Sequence, residues 1–464
     1  MSIEISLLTA AELRDAFARR ALSPVEATKS ALDRIDAKNA AFGAYCFVDH
    51  AAASASARAS ETRWMRGEPL SAIDGVPASI KDLCLTKGWP TLRGSATVDP
   101  AGPWTEDSPC TARLREAGAV LLGKTTTPER GWKGVTDNPL GHVARNPWDA
   151  SKTAGGSSGG AAVAAALGMG ALHIGTDGGG SIRIPASFSG IFGLKPTFAR
   201  VPAYPASAFG DVSHTGPMTR SVTDAALMLD VIAKPDPRDW QCLPEESESF
   251  AKGIDGGIAG CRFGWSIDLG FAKVDPEVAG IVHAAVERFS KLGAKIEDAG
   301  VAIEDPIEIF HKLWFTGAAA VLHAVPARQH KAIDRGLVDI AARGAAFAHM
   351  DYVAATLARA DFARKLSGWF DKFDLLLTPA MPIAAFEAGR ETPAGNGMER
   401  WTQWTGFTYP FNLSQQPAAS IPCGFTRAGL PVGLQIVGRR HADRLVLRAA
   451  RAFERHNPIA LPAG

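Results

Sequence analysis

Charge of one sign is what this sequence most clearly lacks. Lys and Arg number 49 against 48 Asp and Glu, a formal net charge of +1, so no global field is present to steer a nucleic acid or an anionic membrane. Cysteine is scarce as well. The six (Cys46, Cys84, Cys110, Cys242, Cys261 and Cys423) stand singly with no Cys-x-x-Cys pair, which argues against a disulfide framework and against a zinc site. The eleven histidines are dispersed and form no His-Glu-x-x-His motif. Neither a metal nor any other cofactor is expected. No run of about 18 uncharged apolar residues occurs, so no spanning helix is expected. The start, Met1-Ser2-Ile3-Glu4-Ile5, has no basic stretch leading into a long apolar one, and a secretory leader is not expected either. These absences leave a cytoplasmic enzyme acting on a small molecule.

What is present is enough for a large core. The chain has 464 residues, 46% of them hydrophobic and 21% charged, a globular composition. The expected organisation is one continuous α/β domain over 1–464, with a helical segment at about 1–70 and a more variable insertion at about 235–370. Thr9 with Glu12, and Ser23-Pro24-Val25-Glu26, read as capping boxes that start the first helices. Short apolar runs then alternate with helical patterns. Val76 to Ile80 reads as a strand, Ser108 to Ala117 as a helix and Ala119 to Leu122 as a strand. Further strands are expected at Leu172 to Gly175, Cys261 to Ser266, Leu375 to Leu377, Ala418 to Ile421 and Gly433 to Val437. This rhythm implies a mixed, largely parallel sheet covered by helices on both faces.

Three segments carry residues suited to chemistry: Ser79-Ile80-Lys81-Asp82, Gly155-Gly156-Ser157-Ser158-Gly159-Gly160, and Asp177-Gly178-Gly179-Gly180-Ser181-Ile182-Arg183. A serine hydroxyl becomes a nucleophile only when a base removes its proton. No Gly-x-Ser-x-Gly elbow with an obvious histidine partner is present. Lysine can serve when burial lowers its pKa, and Lys81 closes an apolar strand, where sites form in open parallel sheets. Consecutive glycines before Ser181 let several backbone N–H groups converge into a nest able to hold an oxyanion.

Taken together these segments resemble the amidase signature family. The likeness runs from Arg145-Asn146-Pro147-Trp148-Asp149 through Gly155–Gly160 to Gly193-Leu194-Lys195-Pro196-Thr197, and 24 residues separate Ser157 from Ser181. It extends to Asp74-Gly75-Val76-Pro77, Gly216-Pro217-Met218-Thr219-Arg220, Thr378-Pro379-Ala380-Met381-Pro382 and Gly429-Leu430-Pro431-Val432-Gly433-Leu434-Gln435, and thins between about 235 and 370. The resemblance implies Ser181 as nucleophile, Lys81 as base, and Ser157, held across a cis peptide bond, as relay. It implies an oxyanion hole of the Gly178, Gly179, Gly180 and Ser181 N–H groups. Asp177 and Arg183 match a bracing ion pair, and Ser158 a serine contacting the relay. A homodimer is common among such proteins. Gly178 is a departure, because the family usually carries threonine, isoleucine or a similar residue there.

Gly118-Ala119-Val120-Leu121-Leu122-Gly123-Lys124-Thr125 satisfies the P-loop pattern, but its apolar centre reads as a strand and Thr125-Thr126-Thr127-Pro128 opposes a helix after the lysine. Lys124 is expected to be structural. Among aromatic residues Trp104, Trp132, Trp314, Phe315, Trp401, Trp404 and Phe407, those chosen as substrate-binding are Trp132, Trp401, Trp404 and Phe407. An amidohydrolase for an amide with an apolar or aryl acyl group is therefore expected. The alternatives are the glutaminase component of a glutamyl-tRNA amidotransferase and a hydrolase of ureide or carbamate C–N bonds.

Overall fold

The computed structural model describes residues 4–301 and 303–462. Met1 to Ile3, part of the stretch read for a leader, lie outside the described residues. Both capping boxes form: Thr9 and Ser23 accept from the N–H groups of Glu12 and Glu26, whose carboxylates accept from the N–H groups of Thr9 and Ser23 in return. Each such cap stabilises its helix by about 1 kcal/mol. The helices Ala10–Ala18, Pro24–Phe42 and His50–Arg66 follow as expected for the first 70 residues.

Eleven strands then build one sheet: β1 (Tyr45–Val48), β2 (Pro77–Lys81), β3 (Val120–Thr125), β4 (Leu172–Asp177), β5 (Phe192–Lys195), β6 (His214–Thr219), β7 (Arg262–Trp265), β8 (Lys295–Asp298), β9 (Leu375–Pro379), β10 (Ala418–Phe425) and β11 (Pro431–Gly438). Their spatial order is β1-β3-β2-β4-β6-β5-β10-β11-β9-β7-β8. Parallel pairing joins β3, β2 and β4 near one end and β9, β7 and β8 at the other. Between these groups, and at β1 beside β3, the pairs are antiparallel. The β–α–β rhythm accounts for the parallel groups, whose connections are long enough to cross over. The antiparallel centre comes from direct reversals: β10 and β11 are joined by a hairpin closed by the Thr426 N–H to Leu430 carbonyl bond of 2.9 Å, and β6 slots between β4 and β5. β1, β5, β6 and β8 are too short or too rich in glycine and polar residues to show an apolar run in sequence.

Both faces of the sheet are covered. Along β9, Leu375 and Leu377 enter the main core with Val278, Phe289 and Phe453, while Leu376 joins Leu366, Phe370 and Phe411 on the other side. That is the period-2 alternation of a strand buried on both faces. Residues 235–370 contribute β7 and β8 to the sheet edge and then the helices Ile307–His323, Arg335–Ala345 and His349–Trp369. These helices bring Phe310, Trp314 and Leu337 into an aromatic cluster with Trp132 and Trp401. The cluster lies against the glycine loop that ends in Ser181, since Cβ atoms at Gly178 and Gly179 would each come within 2.8 Å of its rings.

Candidate active site

Lys81 ends β2 and Asp177 ends β4, its parallel neighbour. The two carboxyl ends therefore open at one edge of the sheet, the usual position for a site in such folds. The Lys81 side chain is fully buried. Its Nζ lies 2.7 Å from Ser157 Oγ, 2.8 Å from Ser158 Oγ and 2.9 Å from Thr176 Oγ1. Burial pushes the ammonium down to about 7, although Cys84 and Asp177 pull the other way. Lys81 is thus a lysine that can be neutral near neutral pH.

The order of hydrogen bonds gives this amine a direction. The Ser158 hydroxyl donates to the Thr176 carbonyl at 3.1 Å, so its proton is committed and it faces Lys81 as an acceptor. A neutral amine that donates to Ser158 and Thr176 Oγ1 is left with its lone pair for Ser157. Thr176 is a partner that sequence reasoning missed. Its place next to Asp177 on β4 was the available signal.

Ser157 precedes the helix Gly159–Ala166, and the Gly156–Ser157 peptide bond is cis. Every residue of that helix is small and buried, with Ala161, Ala162, Ala165 and Ala166 against Ile182, Ala186 and Met218. Such side chains let the helix approach the sheet closely. Thr136 Oγ1 donates to the Gly155 carbonyl at 2.9 Å and accepts from the Gly159 N–H at 3.1 Å, clamping the loop at both ends. The Ser158 N–H donates to the Ser181 carbonyl at 3.1 Å, which ties the two serine loops together. Ser157 and Ser181 line one cavity of about 310 Å³. Their hydroxyls share no hydrogen bond with each other among the described residues.

Asp177 and Arg183 bracket the glycine loop as a fully buried pair. Arg183 Nε donates to Asp177 Oδ2 and its Nη2 to Oδ1, both at 2.9 Å. The remaining guanidinium donors reach the Thr408 carbonyl at 3.0 Å, Gln435 Oε1 at 2.8 Å and Asn412 Oδ1 at 2.6 Å. Every donor of the fork is used. Burial alone would raise the Asp177 carboxyl, but Arg183, Lys195 and Asn412 hold it well below the usual carboxylate range. One expected member of the oxyanion nest is displaced by this brace: the Gly180 N–H donates to Asp177 Oδ1 at 2.8 Å. Gly178, Gly179 and Ser181 are left as candidate donors. Gly180 has a φ of +129°, and a Cβ there would meet Thr408 Oγ1 at 2.4 Å, so its glycine serves the bend rather than the nest.

The expected substrate-binding aromatics are corrected. Trp132, Trp401 and Trp404 are buried in the aromatic cluster and Phe407 in a separate one, and none lines the cavity. They pack behind the loop because their rings are needed to fill the core: Trp404 stacks on Phe188 at 5.9 Å, and Trp314 meets Trp401 edge-on at 5.8 Å. The cavity is instead walled by Trp314, Phe209, Val321 and the Pro202–Ala208 segment, with Arg93 and Arg130 among its lining. Sequence reasoning named Trp314 but not Phe209 or the arginines. Gly178 has a clear spatial role, because a Cβ there would come within 2.8 Å of Trp314 Cζ3. Lys124 lies within β3, and its Nζ donates to the Cys84 carbonyl at 2.6 Å and to Thr91 Oγ1 at 2.8 Å. It is a buried structural pin, as expected, and no P-loop exists there. The signature residues Asn146 and Trp148 also act structurally, donating to the carbonyls of Phe188 at 2.8 Å and Ser189 at 2.9 Å.

No helix among the described residues is long and apolar enough to cross a membrane, and no group of His, Cys, Asp or Glu among them could hold a metal ion. Comparison with known proteins agrees with the geometry. The amidase family model matches residues 26–447. An acylamidase of Rhodococcus erythropolis is 36% identical over 98% of this chain and 96% of its own. The GatA-type component of the glutamyl-tRNA(Gln) amidotransferase of Myxococcus xanthus is 36% identical over 98% of both. A bacterial aryl acylamidase of known structure superposes with a TM-score of 0.90 at 30% identity, over 97% of this chain and 96% of its own. The chain belongs to the amidase signature family and is a hydrolase of amide carbon–nitrogen bonds.

Proposed function

We propose that the protein is a free-standing acylamidase in which Ser181 attacks the amide carbonyl while Ser157 passes its proton to neutral Lys81. The observation that carries this reading is the 2.7 Å approach of a buried, pKa-lowered Lys81 Nζ to Ser157 Oγ, in a cavity that Ser157 shares with Ser181. Ser181 forms the new C–O bond, and the Gly178, Gly179 and Ser181 N–H groups face the developing oxyanion. On collapse the C–N bond breaks, and the proton held by Lys81 returns through Ser157 to the departing nitrogen. Water, deprotonated along the same route, then releases the carboxylate from Ser181. The small rotation that brings the two hydroxyls into contact belongs to the substrate complex, where catalytic hydrogen bonds tighten.

The wall of Trp314, Phe209 and Val321 supports an apolar or aryl group beside the scissile bond, in line with the relatives named acylamidase. A panel of aryl, alkyl and small polar amides, assayed by amine release with Ser181→Ala as control, tests it. Turnover of small polar amides alone would overturn the apolar preference. The second reading, the glutaminase component of an amidotransferase, is favoured by the equal identity to that relative. Glutaminase activity that appears only with a copurifying partner protein would establish it instead. The cytoplasm and a homodimer remain the setting and assembly proposed for the enzyme.

A further inference from the structure

The cavity holds two arginines that the reaction does not use. Arg93 and Arg130 both line it, both half-buried. Each sits in the left-handed backbone region, with φ of +57° and +53°, a conformation that non-glycine residues hold at a cost of about 1 kcal/mol or more. The Arg130 N–H donates to the Arg93 carbonyl at 2.7 Å, which locks the two turns side by side. Neither guanidinium has an ion-pair partner among the described residues. The one side-chain bond of Arg130, to Thr97 Oγ1, is a long 3.4 Å. No Asp or Glu lines the cavity. Glu129, the nearest carboxylate in sequence, is taken up by the Ser95 hydroxyl at 2.5 Å and the Asp334 N–H at 2.6 Å. The pair also lies close to the reaction. Arg130 precedes Gly131, where a Cβ would stand 3.3 Å from Ser157 Oγ. Burial and the neighbouring Arg93 charge both push the Arg130 guanidinium down. Two partly desolvated cations without a counter-charge are costly unless an anion joins them.

We infer that Arg93 and Arg130 form an anion subsite, which selects amides carrying a carboxylate at a distance from the scissile bond. The inference rests on the amidase reading above and narrows its substrate class to amphiphilic molecules, apolar near the amide and anionic at one end. Arginine suits this task because its planar fork matches a carboxylate.

The test compares succinyl, glutaryl and adipoyl 4-nitroanilides with neutral alkanoyl 4-nitroanilides of equal length, and 4-acetamidobenzoate with 4-acetamidotoluene. The first arm places the carboxylate on the acyl side and the second on the leaving group. kcat/KM should favour the anionic member of at least one pair by about 10- to 100-fold, the usual range for a charge-assisted contact. That ratio should collapse in Arg93→Met/Arg130→Met and recover in part in Arg130→Lys. Binding of glutarate to the Ser181→Ala protein, followed by calorimetry, should weaken on adding the two Met substitutions. An anionic preference that is absent, or that survives in the double Met variant, overturns the subsite. If the native protein turns over no amide, the amidase reading has failed, and arginine-dependent glutarate binding to Ser181→Ala still decides the subsite.

Discussion

The two walls of the cavity are built on opposite principles. On one side, Lys81, Ser157, Ser158, Asp177 and Arg183 are buried polar groups joined by hydrogen bonds of 2.7–3.1 Å. On the other, Trp314, Phe209, Val321 and the Pro202–Ala208 segment meet the substrate space with apolar surface and two unpaired arginines. A buried polar group left without its partner costs about 1–3 kcal/mol, and a charge more, so almost any substitution on the first wall leaves something orphaned. Apolar surface imposes no such pairing, and many side chains of similar volume fill it. The first wall specifies a reaction, whereas the second specifies what is brought to it.

The largest effect should come from the first wall. Ser181→Ala should lower kcat by on the order of 10⁴-fold or more, the scale of losses when a nucleophile acting as part of a unit is removed. Lys81→Ala should be nearly as damaging. Steady-state amine release and labelling by a fluorophosphonate measure both losses. If Lys81→Ala keeps full activity, the walls do not divide the work as described. Next in size is Arg183→Met, which leaves Asp177 charged and buried without its partner and orphans Asn412 and Gln435. It should cost about 3–5 kcal/mol of stability, read as a shift in the denaturant midpoint. No single exchange among the apolar residues of the second wall should approach that.

The same contrast explains what could be read from the sequence. Lys81, Ser157 and Ser181 were legible because each stands in a segment whose residue types are tightly constrained, and the structure places all three at one cavity. The substrate wall was not. Trp132, Trp401, Trp404 and Phe407 are as large and apolar as Trp314, and nothing in sequence distinguishes a ring that fills the core from one that lines a cavity. Gly180 was misassigned for a related reason, since a glycine required by a bend looks the same as one that frees an N–H for catalysis. In the fold, apolar runs such as Val76 to Ile80 announced β2. β6 (His214–Thr219), with glycine, proline and histidine in six buried residues, showed no period at all.

A pH profile sharpens the comparison further. Lys81 is pushed down to about 7 by burial, so the neutral, proton-accepting form prevails above that pH and is lost as pH falls through it. At pH 6 about one lysine in ten is neutral, and kcat/KM for an amide without ionisable groups should be about tenfold below its plateau. A rate independent of pH down to about 5 would remove Lys81 as base. The arginines of the second wall stay charged throughout this range, so the acid limb should be the same in Arg93→Met/Arg130→Met.

The smallest effect should arise where the walls touch, at Gly178 and Trp314. Gly178 lies within the glycine loop, and its φ is not in the left-handed region, so alanine there meets no backbone penalty. Its Cβ would, however, stand 2.8 Å from Trp314 Cζ3. The indole has little room to retreat. It stacks on Phe209 at 3.9 Å and on Phe310 at 5.3 Å, and its Nε1 donates to the Trp132 carbonyl at 3.2 Å. Gly178→Ala should therefore shift the loop and cost about 1 kcal/mol, near fivefold in kcat/KM, at the low end for overpacking. Trp314→Phe removes the atom that is struck, so in that background Gly178→Ala should cost little. The coupling between the two substitutions is the quantity to measure, because each alone also changes the cavity. Strong coupling would mean that the glycine in the catalytic loop was set by a side chain of the substrate wall. Equal costs in both backgrounds would mean that the two walls are independent even at their closest approach.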